Sequence, residues 1–179
     1  MNSALVATPS EGSTSASPSF EELYRSSAEA VFAYACALLR DSSAAEEATA
    51  SAFERAYRRQ RSFDPRRGSQ RAWLFGIARN AALDELRRRR RIAPLEPRDR
   101  LNAEAQDLHE AAELAARRSA LRTALAALPG RDRELIALKF HAGLSNAELA
   151  RVLGVSETNA GTRLHRALTR LRKAFDETA

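Results

Sequence analysis

Residues 145–172 read SNAELARVLGVSETNAGTRLHRALTRLR, and their punctuation decides the fold. Ser145 stands three residues before Glu148, the spacing of a capping box, in which serine and glutamate satisfy each other's backbone N–H groups at a helix start. Leu144 and Leu149 flank that start as a hydrophobic staple. Gly154 follows Leu153, where a helix that ends in the left-handed region favours a residue without Cβ. The spacing predicts a helix over residues 146–153 with both ends specified. After the turn Gly154-Val155-Ser156 a longer basic helix follows, with Ser156 as its N-cap. A short capped helix, a glycine turn and a longer basic helix make a helix-turn-helix.

On a helical wheel, Ala160, Leu164, Ala167, Leu168, Leu171 and Phe175 of the longer helix fall within about 60° of one another and form its buried stripe. The opposite side gathers Asn159, Thr162, Arg166, Thr169 and Lys173, flanked by Thr158, Arg163, His165 and Arg170. Hydrogen-bonding groups suited to base edges lie toward its N-terminal end, and cations suited to phosphates lie further along. A merely solvated face is the commoner reading of such a pattern. Here it is weakened, because this helix carries no acidic residue between Glu157 and Asp176, and solvated faces usually mix signs into i,i+4 pairs. The face is read as one that meets DNA.

Upstream, the same module opens with a predicted helix over residues 117–128, broken at Pro129-Gly130, and another over residues 132–141, stopped by Ala142-Gly143. Residues 92–116, with Pro94 and Pro97 followed by an acidic, alanine-rich stretch, read as a flexible linker. Before it lies a second helical module. Leu23, Tyr24, Val31, Phe32, Ala35 and Leu39 mark a first helix that ends near Arg40-Asp41. A second starts at Ser43, with Ser43 and Glu46 as a capping-box pair, and runs through Phe53 and Tyr57. SFDPRRGS (residues 62–69) is a loop, and residues 70–91 form a third helix with Trp73, Leu74, Ile77, Ala81 and Leu86 largely on one side. Trp73 can stack on an unpaired base, but at this spacing a core tryptophan is the better reading. Residues 1–19, with six serines and two prolines, are too poor in bulky apolar groups to fold, and read as a disordered tail.

The composition agrees. With 44% apolar residues and only 7 Gly and 6 Pro in 179 residues, the chain is rich in helix formers, and the expected fold class is all-α: two small helical domains joined by a linker. The net charge of +6 conceals a pattern. Residues 55–100 carry 15 basic and 5 acidic side chains, and residues 117–179 carry 12 and 6, whereas residues 101–116 carry four acidic groups and no basic one. Two basic blocks around an acidic connector are what two polyanion-binding modules require. Around the first block, Arg66, Arg67 and Arg71 surround the loop, Arg79 and Asn80 sit mid-helix, and the five arginines of residues 87–91 end it; phosphate contact is the physical reading.

Enzyme readings have no support. The three histidines are scattered without cysteine or carboxylate partners at metal-ligand spacing, and no glycine-rich phosphate loop follows a strand. No catalytic residue, cofactor or metal is expected. The single Cys36 lies in an apolar stripe, where a buried structural thiol is expected and fits a reducing compartment. No run of apolar residues approaches bilayer length and the N-terminus has no basic leader, so a cytoplasmic protein is expected.

Two linked stretches resemble one family. AEEATASAFERAY (residues 45–57) with RGSQRAWLFGIARNAALDELRRRRR (residues 67–91) is similar to domain 2 of the bacterial RNA polymerase sigma factors of the sigma-70 family, in their extracytoplasmic-function group. LPGRDRELIALKFHAGLSNAELARVLGVSETNAGTRLHRALTRLR (residues 128–172) is similar to their domain 4. The conjunction in this order is far more specific than either motif alone. The resemblance implies domain 2 over residues 20–91 and domain 4 over residues 117–179. It implies a grip on the β′ clamp helices of core RNA polymerase through Glu46, Glu47, Phe53 and Arg55, with the β flap as a further polymerase contact. It implies recognition and melting of the promoter −10 element by the loop that carries Phe63, Asp64, Arg66, Arg67 and Ser69, with Arg71, Arg79 and Asn80 beside it. Capture of an extruded base there holds the opened strand. The −35 element in double-stranded DNA is read through Thr162, Arg163, His165 and Arg166, with Lys139, Ser156, Thr158, Asn159 and Arg170 around them. An anti-sigma protein is a further partner class that the resemblance implies. This sequence departs from the family at Ala50, where glutamine is frequent, at Ser51, where an acidic residue is usual, and at Gly161, where a basic residue is frequent. Two other readings are a stand-alone helix-turn-helix regulator and a helical adaptor that binds protein alone.

Overall fold

The computed structural model describes residues 19–92 and 112–177, with side chains throughout except at Ile92 and Ala112. The described residues form seven α-helices and no strand, which is the all-α class the composition implies: α1 Phe20–Leu39, α2 Ser42–Arg59, α3 Gln70–Ile92, α4 Ala112–Ala127, α5 Gly130–Phe140, α6 Asn146–Leu153 and α7 Glu157–Asp176. The predicted tail, up to residue 18, and most of the predicted linker lie outside the described residues.

Several boundaries move, each for a local reason. Ser19 belongs to the fold and not to the tail, because it forms a capping box with Glu22 that starts α1. The cap of α2 is Asp41, whose carboxylate accepts from the Ala44 N–H at 2.9 Å, and not Ser43; an aspartate two residues earlier supplies a charged acceptor to the orphan N–H groups. The loop between α2 and α3 is built from two 3-10 turns, Gln60–Ser62 and Pro65–Arg67, the second started by Asp64 accepting from Arg66 N–H at 3.0 Å. The alanine-rich sequence before residue 117 continues as helix, so α4 starts at Ala112, inside the predicted linker. α6 has the predicted ends, with the Ser145–Glu148 box and Gly154 at φ 68°.

α1, α2 and α3 pack as a three-helix group. α2 turns a stripe of Ala44, Ala45, Ala48, Ala52 and Ala56 inward, all nearly inaccessible, and side chains this small let the helix backbones approach closely. The bulk comes from its neighbours: Tyr34 of α1 meets Phe75 of α3 edge to face at 5.7 Å, both fully buried. The wheel of α1 is therefore rotated from the sequence expectation. Tyr34 is its most buried residue, whereas Tyr24 is 49% exposed, since α1 packs against α5 as well as α2 and α3.

That contact is the main architectural finding. Two separate cores were expected, but the apolar core that contains Val31, Leu74 and Phe75 also contains Leu135, Leu138, Leu144 and Leu149 of the C-terminal helices. A smaller cluster of Leu128, Ile136 and Ala167 ties α4, α5 and α7 together. The stripe predicted for α7 is confirmed at its centre, with Ala160 and Ala167 fully buried and Leu164 at 7% exposure.

Candidate nucleic-acid and polymerase interfaces

The loop after α2 and the first half of α3 enclose a cavity of about 500 Å³. Its walls include Phe63, Asp64, Arg67, Ser69 and Asn80 from the sequence-predicted set, together with Arg59, Trp73 and Gly76. Phe63 and Trp73 face each other at 5.6 Å between ring centroids, tilted by 56°. Trp73 is thus half-buried, lining the cavity wall while packing against the apolar core. Its helical spacing could not separate the two, because the cavity and the core lie on adjacent sides of α3. Gly76 had no sequence signal at all; a Cβ there would meet no atom within 4 Å, so the missing side chain leaves open volume in the wall. An apolar aromatic wall with an amide and guanidinium groups at its rim is suited to a flat, unstacked base and the phosphates beside it.

The other three members of the predicted set, Arg66, Arg71 and Arg79, lie outside the cavity walls. Arg66 is exposed in the second 3-10 turn. Arg71 donates from Nε to the Ala142 carbonyl at 2.5 Å and from Nη1 to Ser27 Oγ at 3.2 Å, with its guanidinium carbon 5.4 Å from the centroid of the Phe75 ring. Arg79 Nε donates to Glu134 Oε1 at 2.6 Å. Of the arginine run at the end of α3, Arg87 pairs with Asp84, Arg88 with Glu85 and Glu47, and Arg89 with Glu85 and Asp41. Two of the five arginines, Arg88 and Arg89, thus tie α3 to the start of α2, while the Arg87 pair lies within α3. Hydrogen bonds from Arg88, backed by Arg89 and outweighing the upward push of burial, hold the Glu85 carboxyl below the ordinary glutamate range.

α7 presents the predicted reading face to solvent. Thr158, Asn159, Thr162, Arg163, His165, Arg166 and Arg170 are all exposed. The Thr162 hydroxyl donates back to the Thr158 carbonyl at 2.9 Å, which leaves its oxygen free to accept. Ser156 Oγ is occupied as the N-cap, accepting from Asn159 N–H at 3.3 Å. Arg170 pairs with Asp132 at 2.5 Å and Lys139 donates to the Leu144 carbonyl at 3.0 Å, so both are tied to the scaffold. Arg163 and Arg166 make no ion pair among the described residues, and with Arg79, Arg131 and Arg170 they line a cleft of about 450 Å³ that also holds Asp132 and Glu134. Arg131 is the addition: exposed in the first turn of α5, it joins this basic lip through tertiary packing.

On α2, Glu46 and Glu47 are exposed, and Arg55 reaches Asp84 at 2.9 Å. Phe53 is only 6% exposed, packed beneath Tyr24 at 4.7 Å and Phe20 at 6.5 Å. It supports the surface from below, where the exposed aromatic side chains are Tyr24 of α1 and Tyr57 of α2, the latter 59% exposed. No group of His, Cys, Asp and Glu that could hold a metal occurs among the described residues, and none of their helices is long and apolar enough to cross a membrane.

The family model for sigma-70 region 2 matches residues 23–92, and that for sigma-70 region 4 matches residues 118–171. The ECF RNA polymerase sigma factor SigL of Mycobacterium tuberculosis is 30% identical over 155 residues, spanning 87% of this chain and 88% of SigL. The ECF RNA polymerase sigma factor SigE of Mycolicibacterium smegmatis is 34% identical over 164 residues, spanning 90% of this chain and 63% of SigE. In fold, the chain is similar to the sigma factor RpoE of Bartonella quintana, solved in complex with the anti-sigma factor NepR, with a TM-score of 0.70 at 24% identity, covering 88% of this chain and 96% of that one. The chain belongs to the sigma-70 family of RNA polymerase sigma factors. Within it, the relatives place it in the ECF group, and its function is to direct promoter-specific initiation of transcription.

Proposed function

We propose that the chain is a dissociable promoter-specificity subunit in which region 2 captures an extruded base of the −10 element and region 4 reads the −35 element. The single observation that carries this is the pairing, on one chain, of an aromatic-walled cavity of about 500 Å³ at the α2–α3 loop with an exposed basic face on α7, where Arg163 and Arg166 make no ion pair among the described residues. Extruding a base costs a few kcal/mol of unstacking, and a cavity that holds it stabilises the opened strand. Phe63 and Trp73 supply the apolar walls, Asn80 and Ser69 the hydrogen bonds, and Arg66, Arg67, Arg71 and Arg79 the phosphate contacts. On α7, Thr162, His165 and Arg166 face base edges, with Arg163 and Arg131 on the backbone. The exposed face of α2, with Glu46, Glu47 and Tyr57, together with Tyr24 of α1, is the grip on the β′ clamp helices, and region 4 engages the β flap. The protein catalyses no covalent step and works in the cytoplasm. Because RpoE of Bartonella quintana was solved with an anti-sigma factor, a protein inhibitor of that class is proposed for this chain too.

Run-off transcription with purified core polymerase tests the proposal: adding the chain should give initiation at a promoter that core polymerase alone ignores. Gly76→Leu should abolish strand opening while −35 duplex binding persists, because the new side chain enters the cavity from a position where a Cβ meets nothing. Normal opening by this variant would remove the cavity from the mechanism.

A further inference from the structure

The cleft of about 450 Å³ beside α7 gathers five guanidiniums from three helices: Arg79 of α3, Arg131 of α5, and Arg163, Arg166 and Arg170 of α7. Two carboxylates of α5 share it, and each already holds an arginine. Asp132 pairs with Arg170 at 2.5 Å and Glu134 with Arg79 at 2.6 Å, the two acidic side chains being only 12% and 10% exposed. Arg131, Arg163 and Arg166 are exposed, and their side chains make no hydrogen bond or ion pair among the described residues. Five cations against two anions leave the lining with a net charge of +3. Leu135 and Leu153 add apolar surface to the wall. A cleft of this volume, within the roughly 300–1,000 Å³ of small-molecule sites, with converging charges of one sign, focuses its field on an anion of matching size.

We propose that this cleft binds a small polyphosphate, the linked phosphates of pyrophosphate or of a nucleoside triphosphate, and that the occupant competes with duplex DNA for Arg163 and Arg166. The phosphate site stands on the cleft itself, whereas the competition rests on the reading of α7 as the −35 face. A duplex strand spreads its charge along the backbone, about one per 3.4 Å of axis, and α7 meets it with one exposed side. The cleft adds cations from α5 and α3 and turns them onto one concave volume. That arrangement suits a ligand that concentrates its charge: a terminal phosphate carries about 1.5 to 2 negative charges at pH 7, with three acceptor oxygens, and each linked phosphate adds more within a short length. Guanidinium forks match those oxygens two at a time, so three unpaired arginines can hold two neighbouring phosphates. Asp132 and Glu134 limit the site. They occupy Arg170 and Arg79, which keeps a singly charged anion from gaining much there. RNA synthesis consumes nucleoside triphosphates and releases pyrophosphate, so either source ties duplex binding to the supply of polymerase substrate or by-product.

Isothermal titration of the full chain with sodium pyrophosphate, and separately with ATP and GTP, tests the site without DNA. Pyrophosphate should bind the wild type at one site. Arg131→Ala, at an exposed position, should weaken it about tenfold, the loss of one hydrogen-bonded charge contact. Asp132→Asn, which removes a neutralising carboxylate and releases Arg170, should tighten it. Unchanged affinity in both variants overturns the proposal, because the anion then binds elsewhere on the basic surface. Equal affinity for pyrophosphate and nucleotides assigns the site to the phosphates alone; tighter nucleotide binding assigns it to nucleotides, with the nucleoside against the leucine wall. A labelled duplex of randomised sequence then tests competition. Pyrophosphate at ten times its own dissociation constant should weaken duplex binding about tenfold, as mutually exclusive binding requires, and sodium chloride at the same ionic strength should do far less. Equal effects of the two salts overturn competition, leaving only screening. Pyrophosphate bound in the cleft, with duplex affinity unchanged by Arg166→Ala, supports the site and removes the DNA reading of α7 instead.

Discussion

At the level of single residues, Gly161 shows how much one position can mislead. Read from the sequence, it marks a lost cation on the reading face and a helix-interior glycine worth about 1 kcal/mol against alanine. In the fold it is half-buried beneath the start of α6, and a Cβ there would meet only Asn146 Nδ2, at 3.7 Å. That is ordinary contact distance. Gly161→Ala should therefore raise stability by about 0.5–1 kcal/mol in urea denaturation, at unchanged DNA affinity. Arg166 is the opposite case, exposed and unpaired among the described residues. Arg166→Ala should weaken binding to the matched −35 element by about 1–3 kcal/mol if it forks onto a base, and matched and scrambled elements alike by less if it holds phosphate. Titrating both duplexes distinguishes the two contacts. The residues of this face were legible because a helical wheel is a local property. Arg131 was not, since it joins the same cleft from a different helix.

At the level of elements, the ends of α6 were legible to the residue because serine, glutamate and glycine act within a few positions of one another. Two members of the arginine run at the end of α3, Arg88 and Arg89, pair with Glu47 of α2 and with its N-cap Asp41, more than forty positions earlier, contacts that no local pattern announces. This network has a pH signature. Asp84, through hydrogen bonds from Arg55 and Arg87, and Glu85, through those from Arg88 and Arg89, both titrate below their ordinary values of 3.8 and 4.5. As pH falls, the unfolded chain takes up these protons first, so the unfolded state gains relative to the fold. Their contribution is complete above about pH 5 and is lost progressively as pH drops through the lower folded values. Melting temperature followed by circular dichroism from neutral pH downward should fall across that window. Glu85→Gln should be less stable at neutral pH and show a shallower acid decline.

For the whole molecule, the sequence shows two modules in order but carries no local sign that they share a core. Phe75 and Leu138 lie in one apolar cluster although 63 positions separate them, and nothing in either helix's periodicity announces the other. Arg71 is the polar counterpart of that shared core. It donates to the Ser26 and His141 carbonyls at 3.3 Å, to the Ala142 carbonyl and to Ser27 Oγ, joining α1, α3 and the α5–α6 elbow. Only a planar fork can serve acceptors in so many directions, and a lysine, with one compact ammonium, leaves several of them unserved. A core that spans both regions should unfold as one unit. In the wild type, urea transitions followed by Trp73 fluorescence, which reports region 2, and by far-ultraviolet circular dichroism, which reports all helices, should coincide. Arg71→Lys should lower the midpoint by the equivalent of about 1–3 kcal/mol and separate the two curves, with part of the helical signal lost before Trp73 responds. Curves that already separate in the wild type would mean that the shared apolar cluster does not couple the regions, and that each folds on its own helices.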